Sequence, residues 1–342
     1  MNIYATAAMI AIINDLRSVK PWVLNRYFTY EINEQSEEIH FDKISKKRRI
    51  APFVSPLVEG KIVQSQGFKT ETFKPAYIKP KTPIDPNRAV KRAAGERIGG
   101  ELSPMQRMQL ALALELADHR EMIDTRLEAM AIEILQTGKV TITGEKYPTV
   151  VVDFQRASEL TVALTGNNKW GGTTESPLDN LQDWAALTLK ASGAATRDVT
   201  MDVAAWNKFR KNAEVKDQLA LFRGTSTLGQ DAVFTNGGIF MGTINGFNIF
   251  VYSNYYDDVD GSGNDISVDM WGTGKVVMAS PEELFGVRAF GAIRDEDAGF
   301  QALPYFPKSW VEKDPSQRIL LTQSAPLLVP ERVNASLCAT VL

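Results

Sequence analysis

Residues 39–92 read IHFDKISKKRRIAPFVSPLVEGKIVQSQGFKTETFKPAYIKPKTPIDPNRAVKR. Apolar side chains such as Ile44, Ile50, Phe53, Val54 and Leu57 are scattered among charges, and Lys69–Lys74 alternates with little apolar content on either face. A strand polar on both faces is solvated or paired across an interface. Six prolines, from Pro52 to Pro86, suit edge positions or the ends of runs. The stretch therefore predicts a protruding hairpin, with its tip near Val58 to Phe68, that lacks the apolar material to bury itself. It holds 13 basic and 4 acidic side chains in a chain of net charge −3. The compensating acids gather late: Ser253 to Leu303 carries 10 carboxylates against 3 basic residues. A basic extended limb and an acidic surface on one molecule suit head-to-tail binding of copies.

Working outward, residues 103–138 give the clearest regular element. Ser103 is a good N-cap, Pro104 suits the first helical position, and Gln106 completes a capping box. Met105, Met108, Leu112, Leu116, Ile123, Leu127 and Ile134 keep helical spacing as far as Gly138, a plausible C-terminal stop. Such a helix spans roughly 50 Å and acts as a strut. Upstream, Met9, Ile12, Ile13 and Leu16 share one helical face, so the N-terminus reads as an amphipathic arm and not a signal peptide. It docks either outside its own domain or on the local core.

Downstream, strands are expected at Val140–Thr143, Thr149–Asp153, Val199–Val203, Ile239–Met241, Phe247–Tyr252, Val276–Ala279, Phe290–Ile293, Ile319–Thr322 and Leu327–Val329. Helices are expected at Asn180–Ala191 and within Ala204–Leu221, and loops at Thr165–Leu178 and Asp257–Asp265. The fold class is α+β.

A chain of 342 residues with 44% apolar content supports a sizeable core, in two domains or one elaborated one. No apolar run approaches the ~20 residues of a membrane helix. Cys338 is the only cysteine, which excludes an intrachain disulfide and suits a reducing compartment. Mild net acidity argues against a general nucleic-acid binder. The tract Lys46–Arg49 has the charge to meet phosphate but lacks the aromatic interleaving of a single-strand platform; pairing with acids on a neighbour is the better use.

Chemistry-bearing motifs are sparse. Asp258, Asp260, Ser262 and Asp269 have the spacing of a calcium loop, but strand-like flanks and Asp in the twelfth place favour an exposed hairpin loop. The two histidines, His40 and His119, lack partners at metal spacing, and His119 beside Asp118 reads as solvated or interfacial. There is no nucleophile elbow, Walker loop or dinucleotide fingerprint. The acids Glu282, Glu283, Asp295, Glu296 and Asp297 mark a hydrated face or the partner of a basic surface. The expectation is no catalytic site, no metal and no cofactor.

Several blocks resemble one family. Val54–Gly60 (VSPLVEG), Ser65–Gly67 and Pro75–Lys81 (PAYIKPK) are similar to the extended-loop region of the lambda-type phage major capsid proteins, the protein E family. Thr141–Glu145, Val251–Ser253, Tyr305–Val311, Asp314–Pro315 and Gln323–Leu327 continue the likeness in family order. Residues 92–102 and roughly 167–246 depart from it.

The resemblance implies a Hong Kong 97-type capsid fold. Its parts would be an N-terminal arm at 1–38, an extended β-hairpin loop at 39–92, a peripheral domain at 93–157 and 283–342 with a spine helix at 103–138, and an axial domain at 158–282. The implied role is a major head protein of a lambda-like phage or prophage. It would self-assemble into hexamers and pentamers of an icosahedral shell around double-stranded DNA, which it would hold without sequence specificity. Implied partners are a scaffolding protein, a portal and a decoration protein. The implied location is the virion capsid, with host cytoplasm during assembly and no membrane. On this reading Lys43, Lys46, Lys47, Arg48, Arg49, Phe53, Val54, Leu57, Tyr77 and Ile78 form the loop side of an inter-subunit interface. Glu282, Glu283, Asp295 and Glu296 form its acidic side. The alternatives are the shell of a cellular nanocompartment and a calcium-dependent carbohydrate-active enzyme.

Overall fold

A computed structural model describes the chain except for residues 1–8, 11, 14–20, 37, 45–49, 52, 54–55, 57–58, 60–67, 76, 92–101, 145–146, 222–232, 235–236, 260–262 and 315. Its axis is one helix, Pro104–Thr137, of 34 residues. Ser103 Oγ accepts from Gln106 N and Gln106 Oε1 accepts from Ser103 N, so the expected capping box is formed. Gly138 ends the helix with φ +72, and a Cβ there would lie 2.7 Å from Arg156 Cβ, which restricts the position to glycine.

The C-terminal half of this helix, with Ile123, Leu127, Ile134 and Leu135, is buried in the largest apolar cluster. There it meets a short helix, Trp22–Tyr27, and a three-stranded sheet. In that sheet Tyr30–Asn33 runs parallel to Gly286–Phe290, which pairs antiparallel with Pro326–Pro330. The N-terminal half of the long helix buries Leu112 and Leu116 against Met9, Ile13, Ile84 and Leu320. Met9 and Ile13 of the amphipathic arm therefore dock on their own subunit.

A seven-stranded sheet forms the second centre. Its order is Thr161–Ala163, Ser336–Thr340, Lys275–Ala279, Asp198–Met201, Phe247–Tyr252, Gly238–Ile244 and Val233–Phe234. Helices Pro177–Ser192 and Val203–Phe209 contribute Leu181, Trp184 and Phe209 to its own apolar cluster. The sequence reading grouped all of 283–342 together, but the last strand, Ser336–Thr340, stands inside this sheet. Ser336 to Ala339 are buried on both faces, so the strand has no polar–apolar alternation to assign it to one sheet. On either side of residues 260–262, Tyr255–Val259 and Asp265–Asp269 pair antiparallel, so the ends of the stretch read as a loop are strand.

The short helix Trp22–Tyr27 binds these centres together. Glu128 of the long helix accepts from Val23 N (2.9 Å) and Leu24 N (2.7 Å) at its start. Arg288 donates to Phe28 O and Leu24 O at its end. Arg26 pairs with Asp198 of the seven-stranded sheet at 2.6 Å. Trp22 lies over Gly238, where a Cβ would come within 2.3 Å of the indole.

Candidate self-assembly surface

The ribbon begins as a two-stranded stalk. Ile39–Ile44 pairs antiparallel with Phe68–Phe73, in register from Ile39↔Phe73 to Ile44↔Phe68. His40 Nδ1 meets Thr72 Oγ1 at 3.0 Å across it. The predicted tip and the residues Lys46, Lys47, Arg48, Arg49, Val54 and Leu57 lie outside the described residues, as does the side chain of Lys43.

Both ends of the ribbon are fastened. On the entering side Ile39 is buried in the main core. On the leaving side Lys81–Ile84 joins Ser316–Gln323 as the edge of a three-stranded sheet completed by Phe306–Lys313. Ile84 is fully buried beneath the long helix. His119 reinforces this joint: its Nε2 meets Thr82 Oγ1 and its Nδ1 meets Thr322 Oγ1, both at 2.9 Å. His119 is therefore a buried bridge between helix, ribbon root and C-terminal sheet, and not the solvated or interfacial residue expected. Burial pushes its pKa below the ordinary histidine value, against the opposing charges of Glu115 and Asp118.

Between these fixed ends, Ile50 and Phe53 stand almost wholly in solvent. Exposed apolar side chains on a basic limb are what a partner surface would cover. Tyr77 and Ile78, half-buried, are held by their own chain. Tyr77 donates its hydroxyl to Ala292 O and receives Arg294 N, while Ile78 bridges Ser324 and packs on the main core. They are root anchors, brought home by pairings more than 200 residues away in sequence.

The acids divide as well. Glu283 is paired with Arg332, whose guanidinium also donates to Ser192 O. Asp295 caps a short turn through Asp297 N and receives Lys308 and Gln323. Burial raises the Asp295 pKa, but these hydrogen bonds outweigh it and hold the carboxyl below its usual range. Hydrogen bonds to Asp297 and Asp295 raise Lys308 in turn. Glu283 and Asp295 thus have partners in their own chain, while Glu282 and Glu296 are exposed. Of the calcium-like spacing, Asp260 and Ser262 lie outside the described residues; the hairpin register sets Asp269 opposite Tyr255, three pair steps, or about 10 Å, along from Asp258.

Sequence reasoning missed Glu128. It is buried in the long helix, holds the two N–H groups of the short helix and also receives the Tyr252 hydroxyl at 3.0 Å. Burial raises its pKa, in part offset by those N–H donors. The signal was present: His119 falls three residues after Leu116 and four before Ile123, on the apolar stripe, and Glu128 adjoins Leu127 at the stripe's edge. Polar residues in such positions are buried with partners.

A strut helix, a ribbon fastened at its root and sheets on either side define a Hong Kong 97-type shell subunit. A family model for phage major capsid protein E matches residues 5–341. The chain belongs to that family. It is 28% identical over 335 residues to the major capsid protein of Escherichia phage lambda, covering 96% of each chain. Among solved structures it is similar to a prophage capsid protein of E. coli CFT073, with TM-score 0.75 and 21% identity over 99% of both chains. It is also similar to a subunit of the bacteriophage PhiM1 mature capsid, with TM-score 0.52 and 11% identity over 95% of this chain and 87% of that one. As a phage major capsid protein it is a structural component of the virion shell, not an enzyme, and the family match favours the viral reading over the nanocompartment one.

Proposed function

We propose that this chain tiles its shell by laying the ribbon of one subunit over the next. Rotationally closed head-to-tail contacts then give hexamers and pentamers, and these close into an icosahedral container for double-stranded DNA. The family relationship supports a scaffolding protein, a portal and a decoration protein as further partners, with assembly in host cytoplasm. Residues 39–92 act as the extended loop. The arm, the long helix and the three-stranded sheets act as the peripheral part, and the seven-stranded sheet with its helices acts as the axial part, now including Ser336–Thr340.

The observation that carries this reading is the contrast along the ribbon. Its root is buried and hydrogen-bonded, while Ile50 and Phe53 lie bare beside four consecutive basic residues. Exposed ion pairs from Lys46–Arg49 supply only about 0–1 kcal/mol each and set orientation and rate. Apolar burial of Ile50, Phe53, Val54 and Leu57 supplies most of the affinity, at about 1.5–3 kcal/mol per large side chain. Since Tyr77 and Ile78 already serve their own chain, the adhesive part of the ribbon narrows to its distal half.

The variant Arg48→Glu/Arg49→Glu tests this. It should leave circular dichroism and the melting midpoint of the unassembled chain unchanged and abolish capsomers in sedimentation. Normal shells from that variant in electron micrographs would remove the ribbon from its assigned role.

A further inference from the structure

A cavity of about 600 Å³ lies between the C-terminal turns of the long helix, the ribbon root at Ile78 and the turn that leads into Lys275–Ala279. That size is ordinary for a small-molecule site. Its apolar wall is Ile78, Met130, Ile142 and Met270, and methionine side chains adapt to irregular shapes. Three donors that line it are unspent. Gln136 is 7% exposed, and its buried Nε2 has no hydrogen-bond partner. Native interiors hold few such groups. Lys275 is half-buried and Arg126 is exposed, and among the described residues neither is in an ion pair. Of the two lining carboxylates, Glu133 accepts from Thr141 N at 2.9 Å and Asp269 is exposed.

Gly272 shapes one corner. A Cβ there would come within 2.9 Å of Lys275 Cδ and 3.2 Å of Gln136 Oε1. The lysine stem and the carboxamide therefore flank a space that any side chain at 272 would fill.

We propose that this cavity binds a small amphiphilic carboxylate, a straight-chain monocarboxylic acid. Its headgroup lies between Gln136 Nε2 and the Lys275 ammonium, and its chain lies on Ile78, Met130, Ile142 and Met270. An ionised carboxyl is acceptor-only, so it satisfies an amide N–H and an ammonium together. An inorganic anion would meet the same donors but leave the apolar wall uncovered, and a neutral alcohol would leave Lys275 without a counter-charge. The walls come from a single subunit, so the site does not depend on the assembly reading. They also come from three elements, the ribbon root, the long helix and the head of a central strand. The acid therefore binds the folded chain and not the unfolded one, and stabilises it by mass action.

The test uses the unassembled full-length chain with octanoate, and with octanol and octyltrimethylammonium as controls of equal chain length. Octanoate should bind one per chain in titration calorimetry and raise the melting midpoint with concentration, and both controls should bind at least tenfold more weakly. Lys275→Met and Gln136→Leu remove the donors and keep apolar volume; each should weaken octanoate at least tenfold and leave octanol unchanged. Equal affinity for octanoate and octanol, or octanoate binding unaltered by either substitution, would overturn the site. If circular dichroism shows that the variants do not fold, an octanoate with a diazirine at its tail is photolysed on the wild-type chain. Saturable labelling confined to peptides spanning 126–143 and 269–275 supports the cavity, and labelling elsewhere or without saturation overturns it.

Discussion

Protonation of His119 governs the pH dependence expected of the ribbon root. The neutral ring satisfies two hydroxyls, one as donor and one as acceptor, at a position sealed from water. Burial holds its pKa below the ordinary value of 6.5. The unfolded chain therefore takes up a proton at higher pH than the folded one. The stability this linkage contributes is present above about 6.5 and is lost as pH falls through the lower folded-state value. Urea midpoints of the unassembled chain should fall on acidification below that point, and His119→Gln should flatten the fall; an unchanged slope would show that the ring is not the titrating group. Glu128 acts on a different joint. Glu128→Ala orphans Val23 N and Leu24 N, at about 1–3 kcal/mol for each buried donor. The expected result is a lower denaturation midpoint together with red-shifted fluorescence from Trp22 as the short helix comes away from its bed.

At the scale of elements, the long helix is the part most readable from sequence, because its end signals are local. The variant Ser103→Ala should cost about 1 kcal/mol by removing the cap. Gly138→Ala should cost more than the ~1 kcal/mol of an ordinary glycine replacement, since it meets both a left-handed backbone and Arg156 Cβ. Thermal unfolding of both variants checks the order. The hairpin stalk was equally legible, from alternation without an apolar face. What could not be read were the long-range partnerships. Nothing in Tyr77 or Ile78 announces Ala292 and Ser324. Nothing in Glu283 or Asp295 announces Arg332 and Lys308, their partners within the chain. The last strand joined an unexpected sheet because residues buried on both faces lack the alternation that would point to one.

At the scale of the whole molecule, the chain spends its apolar material unevenly. Three buried clusters clamp the arm, the long helix and both sheet systems into one body. On the ribbon, Ile50 and Phe53 are left uncovered. A rigid body and an unsatisfied limb are complementary needs in a molecule that meets many copies of itself, where the limb of one finds the surface of the next. The stalk register offers a clean way to remove the limb alone. Ile44 and Phe68 face each other, so residues 45–67 can be replaced by a two-residue Asn-Gly turn that closes the hairpin. Electron microscopy of this variant beside the wild-type chain, with melting curves for both, is the most direct test. The prediction is closed shells from the wild type and only folded, unassembled subunits from the shortened chain. Closed shells of the same size from the shortened chain would contradict it.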